Sequence, residues 1–140
     1  MTELAYEVMG DFPTSIHEHP TGGHLCGYIG VTPGHPWYGK DYEEIGADVH
    51  GGLTFAQHER RDQRFNWDTE RWLEIDSEPY PHDTGMDVWW VGFDCAHLGD
   101  LSPRWPEVGG VYRDEAYVRN ELASLVRQAA AALSAVEAES

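Results

Sequence analysis

The feature that most constrains the fold is an apolar run, Val88-Trp89-Trp90-Val91-Gly92-Phe93, which passes abruptly into Asp94-Cys95-Ala96-His97-Leu98-Gly99-Asp100. A short run rich in β-branched and aromatic residues is typical of a strand, and apolar residues on both faces predict a central strand, here over residues 87–93. Polar side chains just past a buried strand lie in a loop, where they can face a ligand. The run therefore predicts a sheet with a candidate site at one edge.

Two earlier segments, residues 24–31 and 48–56, are also predicted as strands. Side chains alternate along a strand, so the first segment would have two distinct faces. One face would hold Leu25, Gly27, Ile29 and Val31, and the other would hold His24, Cys26, Tyr28 and Gly30. Glycines weaken this prediction, but they can also mark the close approach of a neighbouring group. In the second segment, Gly51-Gly52 predicts a bulge or kink.

The chain between these strands is predicted mainly as loops and turns. Residues 4–9 are either a short strand or a frayed end, 11–23 and 100–110 are loops, 32–36 a turn and 41–45 one helical turn. The polar residues 57–86 are predicted as a long charged excursion between two strands. This excursion contains Arg60, Arg61, Arg64 and Arg71 on a solvated face, and Trp67, Trp72, Leu73 and Ile75 as expected anchors to the body.

The C-terminal residues 114–137 have the pattern of an amphipathic helix. Asp114 is a suitable N-cap, and Glu115 is an acidic residue in the first turn. Apolar residues recur at steps of three and four, which makes one stripe that would pack on the sheet. The stripe comprises Val118, Leu122, Leu125, Ala129, Leu133 and Val136. These patterns predict a single α+β domain over residues 1–140, with a small, mainly antiparallel sheet packed by the C-terminal helix.

The charge balance restricts the classes of partner. The 140 residues include 25 acidic and 9 basic side chains, and the formal net charge is −16. Nonspecific binding to nucleic acid or anionic lipid depends on Arg and Lys, so the sequence disfavours both. The charge suits a protein that docks on a basic host protein, including an inhibitor that mimics nucleic acid. It equally suits a surface that is acidic only for solubility.

Cysteine usage and hydropathy indicate the compartment. Cys26 and Cys95 are too few for a disulfide framework and lie in apolar, strand-like contexts, so both are expected to be buried thiols in a reducing cytoplasm. Residues 1–10 lack the basic and apolar regions of a signal peptide. No apolar run approaches the roughly 20 residues that span a bilayer.

Three segments together resemble a family of small proteins carried by bacteriophages and bacteria. The segments are His24-Leu25-Cys26-Gly27-Tyr28-Ile29-Gly30-Val31 with His35-Pro36-Trp37-Tyr38-Gly39, His50-Gly51-Gly52-Leu53-Thr54-Phe55, and Trp89-Trp90-Val91-Gly92-Phe93-Asp94-Cys95-Ala96-His97 with Gly99-Asp100. The family has no established activity, so the resemblance implies no catalytic residues. It implies a phage or prophage setting in a bacterial cytoplasm, where small acidic proteins sequester a host signal or block a host enzyme as an anti-defence measure.

Polar and aromatic residues of these same segments form the candidate site. If the strand ends converge, aromatic faces would stack on a ring while imidazoles and carboxylates supply hydrogen bonds. We therefore predict a cleft that binds a small polar, possibly nucleotide-like ligand. The predicted ligand-binding residues are His24, Tyr28, Tyr38, His50, Gly51, Trp89, Trp90, Asp94, His97 and Asp100.

Two catalytic alternatives use residues of the same set. In the first, His50, Asp94 and His97 hold zinc or a similar divalent ion, and a metal-bound water attacks an ester or amide. The competing interpretation is that Asp94 and Asp100 bond to backbone amides of their own turns. In the second, Cys95 or Cys26 acts as a nucleophile, but nearby Asp94 and Asp100 oppose the electropositive setting that a reactive thiol needs.

Overall fold

Five antiparallel strands form the main sheet in the computed structural model, which describes residues 2–59, 63–74, 80–97 and 99–139. The strands in chain order are β1 (Thr2–Met9), β2 (Phe12–Glu18), β3 (Leu25–Val31), β4 (Phe55–His58), β5 (Gln63–Asn66), β6 (Arg71–Glu74) and β7 (Trp89–Asp94). The order across the main sheet is β1-β2-β3-β7-β4, and β5 and β6 form a separate hairpin. The helices are α1 (Tyr42–Ile45), a 3-10 turn at Pro106–Val108 and α2 (Glu115–Glu139).

The C-terminal helix covers one face of the sheet, as predicted. Asp114 Oδ1 accepts the Tyr117 N–H at 2.9 Å, which caps the first turn. The first four members of the apolar stripe, from Val118 to Ala129, are fully buried against the strands. Val136, at the far end, is 41% exposed. The fold is therefore α+β, with an antiparallel sheet and a packed C-terminal helix.

The central position predicted for the apolar run is confirmed, because β7 lies between β3 and β4. Its second face is buried too, by a smaller core of Cys26, Tyr28, Val88 and Trp90. Glu59 is fully buried at this face and accepts hydrogen bonds from Trp90 Nε1 at 3.1 Å and Thr84 N at 3.1 Å. Burial of both faces explains why β7 is apolar throughout instead of alternating.

Glycines in β3 and β7 lie directly opposite aromatic residues of the neighbouring strand. The register pairs Gly27 with Phe93, Tyr28 with Gly92, and Gly30 with Trp90. A Cβ at Gly27 would lie 2.7 Å from the Phe93 ring, and one at Gly92 would lie 2.3 Å from the Tyr28 ring. The aromatic rings thus occupy the space that a glycine leaves open, which is the close approach that the glycines predicted.

The predicted loop over residues 11–23 is wrong for most of its length. Phe12–Glu18 is strand β2, and residues 4–9 belong to the regular strand β1, so the two make a hairpin. Gly10, with φ of 61°, lies at its turn. The sequence of β2 does not alternate between apolar and polar residues, because both faces of this strand are buried. Its polar residues are bonded inside the protein, as when His17 Nε2 contacts Pro81 O at 2.7 Å.

The predicted strand over residues 48–56 is also mostly wrong, since β4 begins only at Phe55. Gly51 and Gly52 have φ of 68° and 83°, and Gly52 N donates to Val49 O, so the chain turns there. The excursion over residues 57–86 starts inside β4 and contains the β5–β6 hairpin. Trp67, predicted as an anchor, has a side chain that is 82% exposed. The anchors predicted at Trp72, Leu73 and Ile75, and the positions of Arg60 and Arg61, lie outside the described side chains.

Candidate functional site

Four of the predicted polar residues meet at the edge of the sheet where β3 begins, β7 ends and α2 starts. We call His50, Asp94, His97 and Asp100 the His/Asp cluster. Asp100 Oδ2 lies 2.7 Å from His50 Nε2 and accepts the His97 backbone N–H at 3.1 Å. The rings of His50 and His97 are 6.0 Å apart. Segments distant in the chain are thus joined through one carboxylate.

Asp100 is the buried centre of the cluster, with a side chain only 1% exposed. Besides His50 and His97, it accepts Arg113 Nε at 2.9 Å on its other oxygen. Burial by itself would raise the pKa of Asp100, but the hydrogen bonds from His50, Arg113 and the His97 backbone outweigh it and lower the pKa below its ordinary value. Asp100 is therefore a carboxylate held ionised inside the protein.

The second ring nitrogen of His50 contacts the C-terminal helix, since Nδ1 lies 2.7 Å from Tyr117 OH. The His50 backbone N–H donates to Glu121 Oε1 at 2.9 Å, and the Arg113 guanidinium lies 4.9 Å from the centre of the Tyr117 ring. Burial and the Glu121 charge raise the pKa of Tyr117, so its hydroxyl stays protonated. With Asp100 ionised, His50 Nε2–H donates to the carboxylate, and Nδ1 is left to bond with the Tyr117 hydroxyl.

Three further site residues, Arg113, Tyr117 and Glu121, were not predicted from the sequence. Tyr117 and Glu121 lie four residues apart in the first turns of α2, so they share one side of the helix. Arg113 precedes the N-cap Asp114 and contacts Asp100 from the chain just before the helix. A search for polar residues that flank the start of the apolar stripe would find all three.

Asp94 and His97 form an outer layer whose side chains are 32% and 33% exposed. His97 Nε2 itself is buried, and it lies 3.1 Å from Asp94 Oδ1 without the orientation of a hydrogen bond. Asp94 Oδ1 accepts the Ala96 backbone N–H at 3.2 Å. The His97 ring packs on Gly51, where a Cβ would lie only 2.2 Å from the ring. Gly51 thus contributes to the site because its lack of a side chain leaves room for the His97 imidazole.

His24 lies beneath this edge and is buried, and its Nδ1 has no hydrogen-bond partner. Its ring stacks on His19 with centroids 4.7 Å apart. Burial and His19 lower the pKa of His24, while Asp94 and Asp100 act in the opposite direction. His24 is therefore a neutral imidazole that lies close enough to Asp94 and Asp100 for their charges to affect its pKa.

The predicted aromatic residues do not join the cluster, which corrects the proposed stacking cleft. Tyr28 and Trp90 lie on the face of the sheet that points away from α2, and they are buried there in the smaller core. Trp89 and Tyr38 lie together at the opposite end of β7, with centroids 6.3 Å apart. Tyr38 OH donates to Asp87 at 2.6 Å, and Trp89 Nε1 donates to Lys40 O at 2.9 Å. At about 3.3 Å per residue, β7 separates its two ends by roughly 16 Å.

The geometry does not provide the predicted metal ligands. Within residues 2–59, 63–74, 80–97 and 99–139, no three His, Cys, Asp or Glu side chains are arranged to hold a metal ion. The physical reason is that both nitrogens of His50 face protein partners, Asp100 and Tyr117. His50, Asp94 and His97 therefore do not form a ligand set.

Neither cysteine is activated as a nucleophile. Burial, with Asp94, raises the pKa of Cys26 to about 11, and burial, with Asp100, raises the pKa of Cys95 to about 12. Both thiols are buried and unpaired by disulfides. They remain protonated at neutral pH and serve as packing groups.

No protein-family model, curated protein or solved structure matches this chain significantly. In the described part of the chain, none of the helices has the length and apolar character needed to cross a membrane.

Proposed function

We propose that the protein binds a small polar ligand at the outer layer of the His/Asp cluster. The observation that carries the proposal is the two-layer arrangement. The inner residues Asp100, His50 and Tyr117 satisfy one another, whereas the side chains of Asp94 and His97 are about one-third exposed, and the buried His97 Nε2 is left without a hydrogen-bond partner. A rigid inner layer that orients an accessible outer layer is the usual construction of a preorganised binding site.

The chemistry of the outer layer favours a ligand that donates hydrogen bonds. The partly exposed Asp94 carboxylate accepts hydrogen bonds, and the partly exposed Arg113 guanidinium at the same edge could in addition donate to an oxygen of such a ligand. Vicinal hydroxyl groups, such as those of a ribose, suit a carboxylate that accepts two hydrogen bonds. This supports the nucleotide-like class among polar ligands.

In this proposal the residue that stacks on a ring of the ligand is an exposed tryptophan beside His24. Trp105 is 45% exposed. A Cβ at Gly22 would lie 3.5 Å from the Trp105 ring and 2.4 Å from His24 Nδ1, so Trp105 lies beside His24. In this proposal Trp105 takes the stacking role expected of Tyr28 and Trp90.

Binding, not catalysis, is the proposed activity. Tyr117 and both cysteines have raised pKa values, so none of these groups is poised as a nucleophile at neutral pH. The resemblance to phage-borne proteins supports one concrete version, in which the protein sequesters a host signal molecule.

Thermal shift and calorimetry against nucleosides, mononucleotides and cyclic dinucleotides test the proposal. We expect at least one of them to bind the unaltered protein, and expect Asp94→Ala and His97→Ala to weaken that binding at least tenfold. Loss of a hydrogen bond to a charged partner accounts for such a factor. Asp87→Ala, which removes an exposed carboxylate at the far end of β7, is the matched control.

Two outcomes contradict the proposal. One is that no compound of the panel binds and native mass spectrometry finds no small molecule on protein purified from its own host. The other is that Asp87→Ala weakens binding as much as Asp94→Ala, because the effect would then be one of net charge.

A second candidate function is docking on a basic host protein, favoured by the distribution of exposed acids. Asp41, Glu43, Glu44 and Asp48 are all exposed within eight residues around α1. Long-range attraction by such a surface is screened by salt. Capture of a host partner should therefore weaken steeply between 50 and about 500 mM NaCl, and a complex that persists unchanged would exclude this function.

A further inference from the structure

A cavity lies under the last turns of α2, at the opposite end of this helix from the His/Asp cluster. Its volume is about 320 Å³, within the range of small-molecule sites. Phe12, Pro33, Leu133 and Val136 supply apolar walls, and Asp11 and Glu137 supply carboxylates. None of these residues belongs to the His/Asp cluster.

The apolar stripe of α2 extends beyond the region of the helix that the sheet covers, and the cavity lies at this uncovered end. Val118, Leu122, Leu125 and Ala129 are fully buried against the strands. Leu133 and Val136 continue the same stripe but line the cavity instead, and Val136 is 41% exposed. Apolar surface thus remains accessible to a ligand at this end.

Among the described residues, the charges that line the cavity are all negative. The other ionisable residue in this described lining is His35, which directs Nε2 to Ala129 O at 2.9 Å and accepts the Trp37 N–H on Nδ1 at 3.0 Å. Burial lowers the pKa of His35, so it is neutral and offers no counter-charge. The last turn of α2 carries no basic residue, and the carbonyl end of a helix adds partial negative charge.

We propose that this cavity binds a small hydrophobic ammonium ion. The apolar part would contact Phe12, Leu133 and Val136, while the ammonium group lies near Asp11 and Glu137. An aromatic ring beside the carboxylates adds a favourable surface for a cation. An anion of the same size meets two carboxylates and a helix C-terminus, and is excluded.

Amide chemical shifts in ¹⁵N-labelled protein test this site at physiological ionic strength. The probes are phenethylamine, its anionic counterpart phenylacetate and the neutral 2-phenylethanol. We expect saturable shifts with phenethylamine, confined to residues 11–12, 32–35 and 133–137, weaker shifts with the alcohol and none with phenylacetate. Because a pair with an exposed carboxylate contributes modestly, the double variant Asp11→Asn/Glu137→Gln should raise the dissociation constant about tenfold, or roughly threefold per carboxylate.

The matched control is Glu43→Gln/Glu107→Gln, which makes the same change in net charge at exposed positions elsewhere. It should leave the dissociation constant unchanged. Val136→Phe, which fills the cavity, should abolish the saturable shifts. The proposal is overturned if phenylacetate binds equally well, if the control weakens the amine as much as the double variant, or if the shifts spread over the whole acidic surface without saturating.

Discussion

At the scale of single residues, two carboxylates of one cluster have opposite roles. Asp100 is buried and accepts three donors, and Asp94 is one-third exposed and faces solvent. A buried charge is stable only when its hydrogen bonds are satisfied, whereas an exposed one is solvated by water. The sequence shows both as Asp in a polar loop, so it predicted their proximity but not this division of roles.

Asp100→Asn should lower the free energy of unfolding by about 2 kcal/mol, because its amide NH₂ would face His50 or Arg113, which are themselves donors. Asp94→Asn, in the same cluster, should change it by less than about 0.5 kcal/mol. Urea denaturation followed by tryptophan fluorescence measures both. Equal losses in the two variants would contradict the assignment of inner and outer layers.

At the scale of elements, the pairing of β3 with β7 depends on glycine opposite aromatic residues. Gly27 faces Phe93 on the side of α2, and a Cβ there would also lie 3.0 Å from Val118 Cγ1 on the helix. The same glycine therefore sets how closely β7 and α2 approach β3. Each segment has an ordinary strand or helix pattern alone, and only their packing makes the glycine necessary.

Gly27→Ala should destabilise the fold by about 1–3 kcal/mol through overpacking. Phe93→Leu removes ring atoms at the contact, so the double variant Gly27→Ala/Phe93→Leu should lose less than the sum of the single losses. Chemical denaturation of the three variants gives the coupling energy. Strict additivity would mean that the Phe93 ring does not limit the space at Gly27.

At the scale of the whole molecule, three histidines are buried and neutral, and two of them, His17 and His35, bond to segments that are distant in the chain. His17 contacts the residue 80–88 segment, His35 contacts α2, and His24 lies beneath the His/Asp cluster. Burial is the main cause that lowers the pKa of each. The folded protein therefore resists protonation at three separate places.

Stability should fall as the pH decreases from 7.5 to 5.5. A lowered pKa in the folded state means that the unfolded chain takes up protons first, so the stabilisation is complete above the ordinary histidine pKa of about 6.5 and is lost as the pH falls through the folded values. Most carboxylates stay ionised in this interval, so the net charge of the acids changes little. Thermal unfolding at the two pH values measures the effect, and His35→Gln should reduce it. A midpoint that is unchanged or higher at pH 5.5 would contradict this prediction.

The elements with a clear period could be predicted from the sequence, and those buried on two faces could not. The C-terminal helix and strands β3 and β7 were predicted correctly. Their apolar residues recur with a period of 3.6 residues in the helix and 2 residues in β3, and they run continuously in β7. Strand β2 was missed because buried Thr14, Ser15 and His17 look like loop residues. The alternation of a strand predicted that Trp89 and Trp90 face opposite sides of the sheet. Residue spacing could not predict which other residues each ring would contact.

The sequence by itself determined the α+β class and the C-terminal helix, because periodicity is a local property of the chain. It supplied the polar residues of the His/Asp cluster as candidates but did not establish that they meet. Only the tertiary structure decided that Asp100 is buried, that Tyr117 and Arg113 complete the cluster and that Tyr28 and Trp90 belong to the core. Those outcomes depend on which surfaces of distant segments exclude water from one another, and that exclusion exists only once the sheet and helix have packed together.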